Sequence, residues 1–261
     1  MGLLDGRVVL VSGGTQGVGA AIAREAAREG ADVVVSGRRE DVGQACVAAL
    51  EPLLAPGRSA SFVRADVAVV AEALASVAAV VQRHGRVDCL VNAAGLTSRG
   101  TLLGTTPELF DAHVAVNLRG PFFTMQAAVG DMVRRGEPGT VLNVISSSEL
   151  GGQPYLAPYV AAKAGLAGLT RNAAHAHRHD RVRVNGLDIG WTQTEGEDAT
   201  QRAFHGAGDG WAREAGAGLP MGRLTQVDDV APVAVLLLSD RSGVVTGSVL
   251  DWDQNVLGAL G

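Results

Sequence analysis

Residues 7–29 read RVVLVSGGTQGVGAAIAREAARE, and this stretch decides the fold. The β-branched run Arg7–Val11 gives way at Ser12 to glycines at 13, 14, 17 and 19, and then to apolar residues at helical spacing over Gly17–Glu29. The pattern is strand, tight turn, helix. Glycines in such a turn let backbone N–H groups approach a pyrophosphate, and the positive end of the following helix favours its charge. A ligand-free glycine turn would read the same in isolation, but the strand before it and the helix after it favour dinucleotide binding. The spacing departs from the usual G-x-G-x-x-G.

Working outward, the alternation continues. Strand patterns at Asp32–Ser36, Ser61–Arg64, Val87–Val91, Thr140–Ile145, Arg181–Leu187 and Ser248–Trp252 are separated by helical patterns. The helical stretches are Asp41–Leu53, Ala68–His84, Glu108–Arg135 with Pro121 inside it, Tyr159–His175 and Val227–Leu238. Parallel strands need crossovers, which these helices supply, so the expectation is a doubly wound α/β fold of Rossmann type with a parallel sheet. Continuous apolar runs such as Val33–Val35 suit strands buried on both faces. Only Gln193–Leu219, rich in Gly, Thr and acid, carries no clean period and reads as an irregular insert.

The chain has 261 residues, 47% hydrophobic and 19% charged, enough for one globular domain over 1–261, with a substrate lid at about 191–220. A net charge of −5 and dispersed arginines argue against nucleic acid or an anionic membrane as partner. Cys46 and Cys89 lack ligand-like spacing and read as buried thiols in a reducing compartment. Arg7 and glycines interrupt the apolar N-terminus, and no run is long enough to span a membrane, so a cytoplasmic protein is expected. Of 22 basic residues only Lys163 is lysine. That amine is where chemistry is sought.

Tyr159 and Lys163 lie four residues apart, on one helix face. An ammonium there would depress the phenol pKa and make it a proton donor and acceptor for an alcohol or ketone, although a polar pair on a helix face is an equally simple reading. Ser146, Ser147 and Ser148 follow the fifth strand, where a hydroxyl could bind a substrate oxygen, and periodicity does not choose among them. No G-x-S-x-G elbow surrounds Ser146, which disfavours a hydrolase. At the end of the second strand Gly37 stands where an acidic residue would bind ribose hydroxyls, and Arg38 follows. That suits the 2′-phosphate of NADP, with NAD as the alternative and a solvated Arg38 as the plain reading.

These residues resemble the classical short-chain dehydrogenase/reductase family, in its 3-oxoacyl-reductase-like form, over nearly the whole chain. The family's T-G-x-x-x-G-x-G is matched from Ser12 to Gly19, its Asp-Val by Asp66 and Val67, and its N-N/A-A-G by Asn92 to Gly95. Asn117 lies in V-N-L-R-G-P, and Ser146 stands thirteen positions before Tyr159. The resemblance implies hydride transfer between a nicotinamide cofactor and a secondary alcohol or ketone. Tyr159 would be the general acid/base, Lys163 would lower its pKa and hold the ribose, Ser146 would orient the substrate oxygen, and Asn117 would position a water. It implies cofactor contacts from Gly13, Thr15, Gln16, Gly17, Val18 and Gly19, from Arg38, Asp66 and Val67, and from Asn92, Ala93 and Gly95. Tyr159, Lys163, Ile189, Thr192 and Thr194 complete that set. It also implies a homotetramer and no metal.

Two departures stand out. Ile189-Gly190-Trp191 replaces the family's Pro-Gly after the sixth strand, putting that loop's rigidity in doubt, and Asp253-Gln254-Asn255 replaces D-G-G after the last strand. His175, His177 and His179 alternate at a helix end and read as solvated rather than metal-binding. Tyr155 reads as a pocket lip or plain surface. Trp191, Phe204 and Trp211 read either as a lid over a partly apolar substrate or as anchors of the insert, and Glu195, Glu197 and Asp198 make an anionic substrate less attractive. A catalytically idle nucleotide-binding protein, redox-sensing or structural, is the rival function. A sugar-nucleotide epimerase would need a further substrate domain.

Overall fold

The computed structural model describes residues 2–151 and 153–256. Seven strands, β1 (Val8–Ser12), β2 (Asp32–Gly37), β3 (Ala60–Arg64), β4 (Cys89–Asn92), β5 (Gly139–Val144), β6 (Val182–Ile189) and β7 (Val249–Trp252), form one sheet in the order β3-β2-β1-β4-β5-β6-β7. Every pairing is parallel. Successive strand side chains point to opposite faces. Val9 and Val11 pack with α1 (Gly17–Arg28) and α9 (Val227–Leu238), while Val8 and Leu10 pack with α3 (Val70–His84) and α5 (Gly120–Arg135). This is the doubly wound fold expected, with both sheet faces covered. The chain reverses its direction of travel across the sheet on either side of β1, so a crevice opens beyond the carboxyl ends of β1 and β4.

The remaining helices are α2 (Glu40–Leu50), α4 (Pro107–Val114), α6 (Ala157–His177), α7 (Glu195–His205) and α8 (Trp211–Ala217). The single helix expected over Glu108–Arg135 is divided: α4 runs into a π-helical turn, Ala115–Arg119, before α5. Pro121 has no N–H to offer the carbonyl four residues back, that of Asn117, and a widened turn accommodates the missing bond.

The insert at 193–219 is helical, contrary to the sequence reading. Thr194 Oγ1 accepts from the Glu197 N–H at 3.0 Å and caps α7, three acidic residues sit in its first turn, and Asp198 pairs with Arg202 at 2.8 Å. Capping and charge hold this helix, and it carries few apolar residues, so its polarity hides it among loop-like sequence.

Both departures are met by other bonds. The loop after β6 is tied to Thr225, whose carbonyl accepts from Gln193 N at 2.8 Å and whose N–H donates to Trp191 O at 3.1 Å, so proline is not needed to hold it. After β7, Asp253 Oδ1 accepts from Asn255 N at 2.8 Å, an Asx turn in place of glycines. Cys46 and Cys89 are buried and free. No helix among the described residues is long and apolar enough to cross a membrane.

Candidate active site

One cavity of about 840 Å³ lies over the carboxyl ends of the central strands. Gly13, Thr15, Gln16, Gly17, Val18 and Gly19 line one end of it. A Cβ on Gly13, whose φ is +76°, would lie 2.4 Å from Ala94 N, and one on Gly19 would lie 2.1 Å from Gly13 O. Backbone packs on backbone here, and no larger residue fits. Gln16, the N-cap of α1, makes no side-chain cap bond and instead accepts from Arg39 Nη2 at 2.7 Å. The leading N–H groups of α1 are therefore left without a side-chain cap, as a pyrophosphate would require. The residues present fit a dinucleotide.

Further along the same cavity, a Cβ on Gly37 would come within 2.9 Å of Thr15 Oγ1, so a side chain at that position would require Thr15 to move. Arg38 is exposed beside it and makes no ion pair among the described residues. Asp66 and Val67 follow, with Asp66 Oδ1 accepting from Ala68 N at 3.0 Å. Ala93, Gly95, Ile189, Thr192 and Thr194 also face the cavity. Asn92 does not. Its amide is turned into the core, donating to Asn143 Oδ1 at 2.9 Å and accepting from Thr124 Oγ1 at 2.7 Å, because a buried amide must find partners.

Of the expected catalytic group, Ser146, Tyr159 and Lys163 converge in the cavity. Lys163 is 4% exposed, its Nζ donates to Val144 O at 2.8 Å, and it lies 5.7 Å from the centre of the Tyr159 ring. Ser146 Oγ lies 3.2 Å from Ser148 Oγ, and Ser148 in turn donates to Gln153 Oε1. Asn117 is fully buried and is not among the cavity walls. Its Oδ1 accepts from Leu96 N and its Nδ2 donates to Leu96 O, both at 3.0 Å, so its side chain grips the loop after β4 rather than facing solvent.

Burial pushes the Tyr159 phenol up to about 12; the neighbouring Ser146 hydroxyl and Arg99 work against this, and the charges of Glu197 and Asp188 reinforce it. Burial likewise pushes the Lys163 amine down to about 8, opposed by Asp188. Both effects have one cause, the cost of charge in a dry site, which favours neutral phenol and neutral amine alike.

Asp188, near the end of β6, went unnoticed in the sequence. It is 1% exposed, and its Oδ1 has no hydrogen-bond partner among the described residues. Burial pushes its carboxyl up to about 8, with Asp251, Asp253 and Glu149 adding to the rise and Lys163 opposing it. A carboxyl raised in the folded state holds a proton that the unfolded chain releases above its ordinary value near 3.8, so stability falls as pH rises from there toward about 8. Asp188→Asn is expected to melt several degrees above the parent at pH 9 and close to it at pH 4. Thermal unfolding across that range measures the gap, and a gap independent of pH would contradict the assignment.

At the opposite end the walls are Thr97, Arg99, Gln153, Tyr155, Trp191 and Glu197. Glu197 Oε1 accepts from Trp191 Nε1 at 2.8 Å and Gln201 Nε2 at 2.7 Å, with Arg99 Nη2 at 3.6 Å. Arg99 lies 5.3 Å from the Tyr155 ring centre, and Trp191 packs against Trp211 at 5.9 Å. Phe204 lies exposed and away from the cavity walls. Arg99 and Gln153 escaped the sequence reading because nothing local distinguishes them from surface residues. Their position depends on how the loops after β4 and β5 fold together. Among the alternating histidines, His177 Nδ1 lies 2.9 Å from Asp180 Oδ2, and His175 and His179 are exposed.

Residues 13–254 match the family model described as enoyl-(acyl carrier protein) reductase. The chain is 36% identical over 256 residues to an L-rhamnose 1-dehydrogenase (NAD(P)(+)) of Sphingomonas sp. strain SKA58, covering 96% of each chain. The solved structure of levodione reductase superposes with a TM-score of 0.88 at 30% identity, covering 95% of this chain and 96% of that one. A short-chain type dehydrogenase/reductase from Mycobacterium marinum gives a TM-score of 0.88 at 25% identity, covering 98% and 97%.

Proposed function

The chain belongs to the short-chain dehydrogenase/reductase family and is an NAD(P)-dependent oxidoreductase acting on CH–OH groups, and from that premise we propose that it interconverts a neutral, hydroxyl-bearing secondary alcohol and its ketone with NADP as preferred cofactor. The observation that carries this reading is the convergence of Ser146, Tyr159 and Lys163 in the cavity that also holds the uncapped start of α1. When bound, the nicotinamide gives or takes the hydride. Gly13 to Gly19 would hold its pyrophosphate, Asp66 and Val67 its adenine, and Ile189, Thr192 and Thr194 its nicotinamide end.

Ser146 orients the substrate oxygen and Tyr159 moves the proton at that oxygen. Lys163, fixed by Val144 O, places a compact ammonium beside the phenol and the ribose. Asn117 acts from behind the wall by holding the loop at Leu96. The segment 191–220 serves as a lid over the substrate.

The substrate class is supported by polar walls. Ser148, Gln153 and Glu197 offer partners for hydroxyl groups, and Arg99, 3.6 Å from the Glu197 carboxylate, offsets its charge so that this end offers no free cation to an anionic substrate. The related rhamnose dehydrogenase is named for a substrate of this kind. L-rhamnose, cyclohexanol and 3-hydroxybutyrate, each offered with NADP and with NAD and followed by nicotinamide absorbance, test the reading. Faster oxidation of the neutral polyhydroxylated alcohol is expected, and preference for the anion would overturn it.

NADP preference is supported by glycine rather than a carboxylate at 37 and by Arg38 beside the cavity. Arg38→Ala is expected to weaken NADPH binding by about tenfold, the scale of one charge-assisted bond, and to leave NADH unchanged. Fluorescence titration with both cofactors checks this; equal losses, or none, would refute it. A homotetrameric assembly is supported by the exposed Phe110, Phe122 and Val133 on α4 and α5, and light scattering reads it directly. A cytoplasmic setting agrees with the two free thiols.

A further inference from the structure

His113 lies on α4, four residues before Asn117, so the two share a helix face. It is 0% exposed. An imidazole so deeply placed must satisfy both ring nitrogens or lose stability. Asn117 Nδ2 reaches His113 Nδ1 at 3.3 Å, and His113 Nε2 lies 3.0 Å from Ser98 O and 3.1 Å from Ser98 Oγ. The ring also meets the Tyr159 ring edge-on, centres 6.2 Å apart and planes at 77°.

These contacts determine the tautomer. Leu96 fixes which end of the Asn117 amide is nitrogen, since Leu96 N must donate to Oδ1 and Leu96 O must accept from Nδ2. The second Nδ2 hydrogen then points to His113 Nδ1, which has to accept it. The ring proton therefore sits on Nε2 and is donated to Ser98 O. Burial, which lowers the imidazole pKa, agrees with a neutral ring. Leu96 and Ser98 flank Thr97 and precede Arg99, two walls of the substrate end.

We propose that His113 is a positioning residue: as the Nε2–H tautomer it locks the Asn117 amide to Ser98, so that the π turn, the substrate loop and the edge of Tyr159 are held as one unit. This rests on the reading that Asn117 supports the reaction by holding that loop. Two halves of the ring do two things. Nδ1 orients Asn117, and Nε2 sets the loop that presents Thr97 and Arg99.

The test uses the intact protein with NADP and L-rhamnose, or cyclohexanol if that is the faster of the two. His113→Leu removes both contacts and is expected to lower kcat and raise KM, each by about tenfold, the scale of one lost hydrogen bond, with cofactor affinity unchanged. His113→Asn keeps an acceptor near the Nδ1 position and is expected to recover kcat but not KM. His113→Gln reaches toward Ser98 and is expected to recover KM but not kcat. A purely structural role predicts no such division, so loss in His113→Leu without either rescue overturns the proposal. Nitrogen-15 NMR gives a readout free of turnover: the histidine resonance lost in His113→Asn should show unprotonated Nδ1, and a proton on Nδ1 overturns the proposal. Asn117→Ala separates the two layers. If it lowers kcat while His113→Leu does not, the His113 inference fails alone; if it leaves kcat unchanged, the Asn117 reading beneath it fails.

Discussion

Tyr159→Phe is expected to lower kcat by about 10³-fold while leaving the protein folded and able to bind cofactor. General acid/base groups contribute on the order of 10²–10⁴ to rate, and no other phenol stands near the reacting position. Tyr155, the other tyrosine of the chain, sits at the cavity mouth against Arg99 and His205. The substitution removes one oxygen from a ring that is already buried, so it opens no sizeable cavity and leaves the packing against His113 in place. Turnover at saturating NADP, together with NADPH titration and thermal unfolding, separates loss of chemistry from loss of structure. Undiminished turnover would remove Tyr159 from the mechanism. The high proton affinity of this phenol, pushed up to about 12, sharpens the expectation: in the protein without cofactor Tyr159 is a proton holder near neutrality, suited to giving a proton to a ketone oxygen.

Lys163→Arg is expected to cost about 10²-fold in kcat and to weaken cofactor binding, although charge is conserved. The Lys163 amine reaches Val144 O from a helix whose Leu166 and Ala167 pack against Ile145, and the residue is almost wholly enclosed. A guanidinium is planar, wider, and donates through a rigid fork, so it cannot occupy the place of a compact ammonium without displacing its neighbours. It also stays charged at every accessible pH, whereas Lys163, pushed down to about 8, loses its proton within the working range. The pH profile of Lys163→Arg should therefore lose the contribution of the Lys163 amine near 8, with the Asp188 carboxyl left as the group titrating there. Lys163→Met, similar in volume and uncharged, distinguishes the need for charge from the need for shape. Retention of activity in Lys163→Arg would show that a compact amine is not required.

Much of this site could be read from the chain. Tyr159 and Lys163 were visible as a helix-spaced pair, and the solitary lysine drew attention to it. The strand end brings three serines to the crevice, and the family resemblance singles out Ser146 among them. The glycine loop was legible because the backbone can make that turn in few other ways. Asn117 was found by resemblance, yet its surroundings were not: the π turn that carries it depends on Pro121, and its partners Leu96 and His113 come from a loop and from the preceding helical turn. Helix α7 of the insert is hard to read from the sequence because it is held by a cap and a charge pair. Asp188 looks like one polar residue in a strand, and only the folded structure makes it a buried carboxyl.

The sequence by itself determined the strand and helix alternation and the glycine loop, because these rest on local rules, side-chain period and glycine conformation, while the Ser–Tyr–Lys set is what the family resemblance implies. Tertiary structure decided everything that depends on what lies across a gap. It turned Asn92 inward, set Asn117 behind the cavity wall, paired His113 with Ser98, and buried the Tyr159 phenol. The reason is physical. Burial and hydrogen-bond partnership arise between segments far apart in the chain, and the energy of a charge or an amide depends on those neighbours more than on its own residue type.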